Sequence, residues 1–234
     1  MPQLTRVVLL DLDDTLLHFT AGQPDFWRLA LERFVPERDH AALLAAIERA
    51  SSAFWAEPER AFWGRQNMIE ARRRVARMAL AELGIEQPLC ERIADEMTEQ
   101  KEAQMRPVAG CFETLAALRE RGHRLALLTN GCSTFQRRKL ARFRLEPLFE
   151  LILIEGELGY GKPDRRVFEA ALRHFDVRVA EACMVGDNLD ADVAGAQALG
   201  IQSIWFDAQG TGYRPGERRP PDRVIQRLSE LTGH

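Results

Sequence analysis

Asp11, Asp13 and Asp14 crowd together directly after the apolar run Val7 to Leu10, and a second acidic group, Asp187, Asp190 and Asp192, follows the run Ala182 to Val185. Gathered carboxylates repel unless a cation joins them, and an all-oxygen ligand set without His or Cys suits Mg²⁺ better than zinc. Two more polar groups follow apolar runs: Thr129-Asn130-Gly131 after Arg124 to Leu128, and Gly161-Lys162-Pro163-Asp164 beyond Leu151 to Ile154. An acidic cluster with one lysine suits a phosphate and its metal. Asp11, at the end of its run, could attack phosphorus as a carboxylate nucleophile, leaving an aspartyl-phosphate that water hydrolyses. Asp13 could protonate the leaving oxygen and later take a proton from that water. Thr129 and the backbone N–H groups of Asn130 and Gly131, at a helix start, could hold phosphoryl oxygens. Lys162 would set a point charge against them, and Asp187 would complete a metal site.

These residues act together only if the fold gathers them, and in an open parallel α/β sheet the ligand crevice lies at the carboxyl ends of the strands. The runs Val7 to Leu10, Arg124 to Leu128, Leu151 to Ile154, Ala182 to Val185 and Gln202 to Phe206 read as strands covered on both faces. Helical spacing lies between them, at Phe112, Leu115 and Leu118 before Gly122, and at Val167, Phe168, Ala171, Leu172 and Phe175; Gly122 and Gly200 fit helix C′ positions. Strand and helix alternate from residue 107 to 206, which predicts an α/β Rossmann-like parallel sheet core with helices on both faces. Asp25 to Met105 reads as almost wholly helical, with one long stretch from Arg60 to Leu83. The expected division is therefore residues 1–20 and 106–234 as the core, with 21–105 an inserted all-helical subdomain. Gly210 to Pro221 reads as a loop and Arg223 to Leu231 as a short terminal helix.

The 234 residues carry a net charge of −3, which gives no bulk attraction for a nucleic acid polymer. No apolar stretch approaches the length of a membrane span, and aspartates stand where a signal peptide would need its apolar segment, so a cytoplasmic protein with no membrane partner is expected. Cys90, Cys111, Cys132 and Cys183 lie far apart and read as reduced thiols. The cations are 29 arginines and three lysines. Lys101 and Lys139 lie in helical stretches where Arg would serve as well; Lys162 falls at the candidate phosphate site, where a compact ammonium fits and a planar fork is bulky.

In this order, Asp11-Leu12-Asp13-Asp14-Thr15, Thr129-Asn130-Gly131, Lys162 in Gly-Lys-Pro-Asp, and Gly186-Asp187-Asn188-Leu189-Asp190-Ala191-Asp192 resemble the four motifs of the haloacid dehalogenase superfamily, and the resemblance spans the chain. It implies Asp11 as nucleophile, Asp13 as acid and base, Thr129 as phosphate binder, Lys162 as charge partner and Asp187 as Mg²⁺ ligand. It also implies that the main-chain oxygen of Asp13 touches the metal and that Asp192 supports it. The insert has the place of the family's helical C1 cap, whose closure would exclude water and read the leaving group. Asp13 favours a phosphatase over a 2-haloacid dehalogenase, because dehalogenases lack an acid there and a halide needs no proton. Around Lys162 and Thr129 the chain looks most like the nucleotidase-like and acylneuraminate-phosphatase branches. The implied activity is Mg²⁺-dependent hydrolysis of a small phosphorylated metabolite, such as a nucleoside 5′-monophosphate, phosphoglycolate or a sugar phosphate, by a monomer or homodimer. A non-catalytic binding protein on the same fold is the alternative of a different class.

Other readings compete for individual residues. A strand-end Asp often caps a helix or forms a turn; Asp14 reads as a turn residue, and spacing from Asp187 favours Asp192 over Asp190, with Asn188 left open. An EF-hand starting at Asp11 fails, since Leu16 and Gly22 stand where Gly and Glu are needed. Gly156 to Lys162 fits a P-loop, but Pro163 replaces the metal-binding Ser or Thr and removes an N–H. Trp27, Trp55, Phe62 and Trp63 could line a pocket for a base or sugar or be core.

Overall fold

The computed structural model describes residues 4–19, 25–214 and 219–233. The chain runs through β1 (Val7–Leu10) and β2 (Leu17–His18), then α1 (Phe26–Phe34), α2 (His40–Trp55), α3 (Pro58–Gln66), α4 (Met68–Leu80) and α5 (Gln87–Ala103). It continues through β3 (Arg106–Pro107), α6 (Cys111–Glu120), β4 (Arg124–Thr129), α7 (Ser133–Arg142), β5 (Leu151–Ile154), α8 (Glu155–Leu158) and α9 (Arg165–Phe175). After β6 (Ala182–Gly186) a π-helical turn, Leu189–Ala194, leads into α10 (Gly195–Gln197), followed by β7 (Gln202–Phe206) and β8 (Arg223–Ile225). Two compact units result, one of Met1–Ala21 with Arg106–His234 and the other of Gly22–Met105.

In the first unit six strands form one sheet in the order β5-β4-β1-β6-β7-β8, and every neighbouring pair is parallel. β1 is buried along its whole length, which its unbroken Val-Val-Leu-Leu run requires of a central strand covered on both faces. The chain builds outward from β1 through β4 and β5, then crosses back to place β6 on the other side. The carboxyl ends of β1 and β6 therefore flank the switch point where doubly wound sheets open a crevice. α9 packs Val167, Phe168, Ala171 and Phe175 into a core with Val7, Leu9, Ala126, Leu128 and Met184, each large side chain contributing about 1.5–3 kcal/mol over exposure. Asp164 caps that helix by accepting the Arg166 N–H at 2.9 Å.

The sequence places the five inner and flanking strands within a residue of their observed ends, and Gly122 and Gly200 take φ of 85° and 80° as helix stops. Three details differ. Arg223–Ile225 is an edge strand followed by a 3-10 turn at Leu228–Thr232, because the short segment finds a ladder partner in β7, with Phe206 opposite Ile225. Phe112 is exposed, and α6 buries Cys111, Leu115 and Leu118. The stretch Arg60 to Leu83 is broken at Asn67, whose backbone leaves the helical region at φ −128° and whose side chain donates to the Trp63 carbonyl at 3.0 Å.

The second unit is all-helical among its described residues, with a core including Leu31, Ile47, Phe54, Val75, Leu80 and Ile93. Gly64 lets α3 lie close on α2: a Cβ there would meet the Phe54 and Trp55 rings at 2.8 and 2.9 Å. No helix among the described residues is long and apolar enough to cross a membrane.

Candidate active site

Asp11 continues the β1 ladder one residue past the strand, its N–H donating to Val185 O at 3.0 Å, so its side chain emerges at the switch point. Lys162 Nζ lies 2.5 Å from Asp11 Oδ1 and 2.7 Å from Asp192 Oδ1. Asp11, Asp187 and Asp192 each bring a carboxylate oxygen within 4.8 Å of the others. The π-helical turn after β6 presents Asp192, and Asn188 caps it by accepting the N–H groups of Asp190 and Ala191 at 3.0 and 2.9 Å. Asp190 faces solvent. Gly186 is required by close approach, since a Cβ there would lie 2.1 Å from Asp192 Oδ2. Thr15, fully buried, donates to Asp187 Oδ1 at 3.3 Å and accepts the Asp187 N–H at 3.1 Å.

Three carboxylates against one ammonium leave this cluster formally two charges negative, in a place where charged groups are costly. Burial pushes Asp11 up to about 7, although Lys162 works to lower it. Burial, then the charges of Asp11 and Asp192, push Asp187 up to about 8. Burial works to lower Lys162, but Asp11 and Asp192 outweigh it and hold the ammonium above its ordinary value. Asp192 Oδ1 is buried without a well-directed hydrogen bond. An all-oxygen cluster in which three carboxylates face one ammonium fits a hard divalent cation.

Thr129 closes β4, and its Oγ1 accepts from Gln136 Nε2 at 2.5 Å. The Asn130 side chain joins this turn to the loop carrying Lys162, donating to Lys162 O at 2.7 Å and accepting the Lys162 N–H at 2.8 Å. Gly131, at φ 116°, donates its N–H to Glu155 Oε2 at 2.8 Å. In this structure the buried Glu155 carboxylate takes that N–H. Gly156 to Lys162 folds as α8 and a turn around that glutamate, and no P-loop cradle forms.

Asp13 follows a different course from Asp11. Its carboxylate lies outside the triad: Lys139 Nζ stands 2.7 Å from both oxygens, and Gln136 Nε2 donates to Oδ2 at 3.0 Å. Asp14 makes the turn at φ 61°, its Oδ1 accepting the Phe19 N–H at 2.9 Å. Lys139 is 8% exposed and paired with Asp13, a placement that its charged neighbours in the sequence do not announce. Sequence reasoning missed Thr15, Gln136, Lys139 and Glu155 as parts of the site. The available signals were the rarity of lysine and the three-residue step from Gln136 to Lys139 on the helix after Thr129. Of the insert's aromatics, Trp27 and Trp55 pack on the helical core, while Phe62 and Trp63 are 40% and 38% exposed. All four cysteines are free.

A doubly wound α/β core interrupted after its first strand by a helical insert, with an acidic triad and a lysine at the switch point, defines a hydrolase whose site suits a metal ion. The chain belongs to the haloacid dehalogenase-like hydrolases, whose family model matches residues 5–200, and it is an enzyme of the phosphatase type in that family. It is 38% identical to the phosphoserine phosphatase of Thermus thermophilus over 97% of both chains. It is 39% identical to the glyceraldehyde 3-phosphate phosphatase of Pyrococcus abyssi over 45% of this chain and 44% of that one. The magnesium-bound HAD-hydrolase YfnB of Bacillus subtilis has a similar structure, with a TM-score of 0.74 at 25% identity, covering 98% of this chain and 97% of that one.

Proposed function

We propose that this enzyme hydrolyses small phosphomonoesters with Mg²⁺ through an aspartyl-phosphate on Asp11. The observation that carries this reading is the position of Asp11: a buried carboxylate at the switch point, held against Lys162 and within the acidic triad. In the first half-reaction Asp11 attacks phosphorus, the bond from phosphorus to the leaving oxygen breaks, and Asp13 gives that oxygen a proton. In the second, water attacks the same phosphorus, Asp13 takes its proton, and Asp11 leaves as carboxylate. Lys162 offsets charge on Asp11 and the phosphoryl oxygens, with Thr129 and Asn130 holding the latter. Asp11, Asp187 and Asp192, with the main-chain oxygen of Asp13, would hold Mg²⁺, which when bound supplies charge neutralisation at the phosphoryl group.

Relatives named as phosphoserine and glyceraldehyde 3-phosphate phosphatases, alongside a ribulose-1,5-bisphosphate 5-phosphatase and a pyrimidine 5′-nucleotidase, support a small phosphomonoester as substrate without singling out one skeleton. Phosphoserine, glyceraldehyde 3-phosphate, phosphoglycolate, sugar phosphates and nucleoside 5′-monophosphates form the panel to test. Asp13, held by two polar side chains, supports a reaction whose leaving oxygen needs a proton, which halide release does not. The decisive experiment is phosphate release from this panel and from 4-nitrophenyl phosphate, with Mg²⁺ and with chelator, in the native enzyme and in Asp11→Asn. Chelation and Asp11→Asn should each reduce turnover by at least about 10³-fold; equal turnover in Asp11→Asn ends the proposal.

A further inference from the structure

Gln136 and Lys139 stand one turn apart on α7, both buried, at 2% and 8% exposure. A buried ammonium needs a partner, and Lys139 has two: the Asp13 carboxylate, 2.7 Å from each oxygen, and the Phe19 ring, whose centroid lies 4.2 Å from Nζ. Gln136 places one amide nitrogen among three acceptors, Asp13 Oδ2 at 3.0 Å, Thr129 Oγ1 at 2.5 Å and Asn130 O at 2.9 Å. The turn that would hold the phosphoryl group and the carboxylate that would handle the proton are thus tied to one side chain.

We propose that Gln136 and Lys139 are positioning residues for proton transfer by Asp13, an inference that rests on the reading of Asp13 as acid and base. Asp13 sits on a tight loop, but its own two side-chain torsions are free to turn unless something fixes them. Proton transfer requires hydrogen-bond reach, and a displacement of about 1 Å can cost on the order of 10²-fold in rate. The two partners also make the carboxylate oxygens unlike. Oδ2 accepts from both Lys139 and Gln136, while Oδ1 accepts from Lys139 and keeps a second acceptor site that neither side chain fills. Oδ1 is therefore the oxygen that exchanges the proton with the leaving group and later with water.

The test uses kcat/KM, which reads the first half-reaction, over aryl phosphates of one shape, from 4-nitrophenyl, whose leaving oxygen needs little protonation, to phenyl, whose oxygen needs it. Native enzyme, Lys139→Met, Lys139→Arg, Gln136→Leu and Asp13→Asn are compared, with thermal melts to confirm folding. Lys139→Met and Gln136→Leu should lose about 10-fold more on phenyl phosphate than on 4-nitrophenyl phosphate, and Lys139→Arg, which keeps the cation, should recover part of that difference. A uniform loss across the series, or none, in whichever of the two apolar variants folds overturns the inference. Asp13→Asn should show the steepest dependence. If it alone does so, the acid role stands and only the positioning role falls; if it too is flat, the acid role falls and the inference with it.

Discussion

Lys162 is 5% exposed and places its single nitrogen 2.5 Å from Asp11 and 2.7 Å from Asp192, a contact to two carboxylates from one point. A guanidinium keeps the charge but spreads its donors over a planar fork, which does not present one nitrogen to both carboxylates as the ammonium does. Lys162→Arg should retain the fold and lose about 10²-fold or more in kcat on 4-nitrophenyl phosphate; near-native turnover with an unchanged melt would show that charge alone suffices. The sequence makes Lys162 legible because it lies in a short run beside Pro163 and Asp164 after a strand. Asp11, Asp187 and Asp192 were legible for the same reason. Lys139 and Gln136 were not: their approach to Asp13, more than 120 positions away in the chain, depends on the phase of α7, which apolar spacing there does not reveal because the helix is mostly polar. The acceptor of the Gly131 N–H, Glu155, lies on a separate element and is not announced by the motif that holds the glycine.

At the scale of elements, what positions the triad is the junction between β6 and the π-helical turn. The strand ends in a glycine, the chain turns at Asp187, and Asn188 caps the turn so that Asp192 folds back onto Gly186. Gly186→Ala puts a methyl group where the Asp192 carboxylate lies, and the neighbours of that carboxylate, the Asn188 N–H and Lys162, oppose its retreat. The substitution should cost about 1–3 kcal/mol of stability from overpacking, and the displaced Asp192 should weaken Mg²⁺ activation, seen as at least about a 10-fold rise in the Mg²⁺ concentration giving half-maximal turnover. An unchanged melt and unchanged Mg²⁺ response would mean that the junction relaxes freely. The apolar runs made the inner strands readable because a central parallel strand must be apolar on both faces. β8 and the two-residue pair β2 and β3 escape that logic: they are short, edge-located or solvent-facing, and only their ladder partners, β7 for one and each other for the pair, define them.

For the whole molecule the acidic cluster makes stability depend jointly on pH and cation. Asp11 and Asp187 are raised from the ordinary 3.8 to about 7 and about 8, chiefly by burial. Over that window the folded protein holds protons that the unfolded chain has already released, so folding takes up protons and metal-free stability falls as pH rises from about 4 to about 8. Below that range both states are protonated at these groups, and the two aspartates add no further pH dependence. A divalent cation binds the deprotonated cluster, competes with those protons and restores stability in the same window. At about 100-fold excess over its dissociation constant, Mg²⁺ should add about 2.7 kcal/mol at pH 8, a rise of roughly 5–10 °C in melting temperature for a chain of this size. At pH 5 the increment should be small, because the protons must first be displaced. Thermal melts in chelator and in Mg²⁺ at four pH values between 5 and 8 check this, with Asp187→Asn as control. That variant removes one buried charge, so it should be more stable than the native enzyme in chelator at pH 8 and should lose most of the Mg²⁺ increment. Equal increments at pH 5 and 8 would show that the cluster is already ionised without the cation, and that burial does not govern these carboxylates.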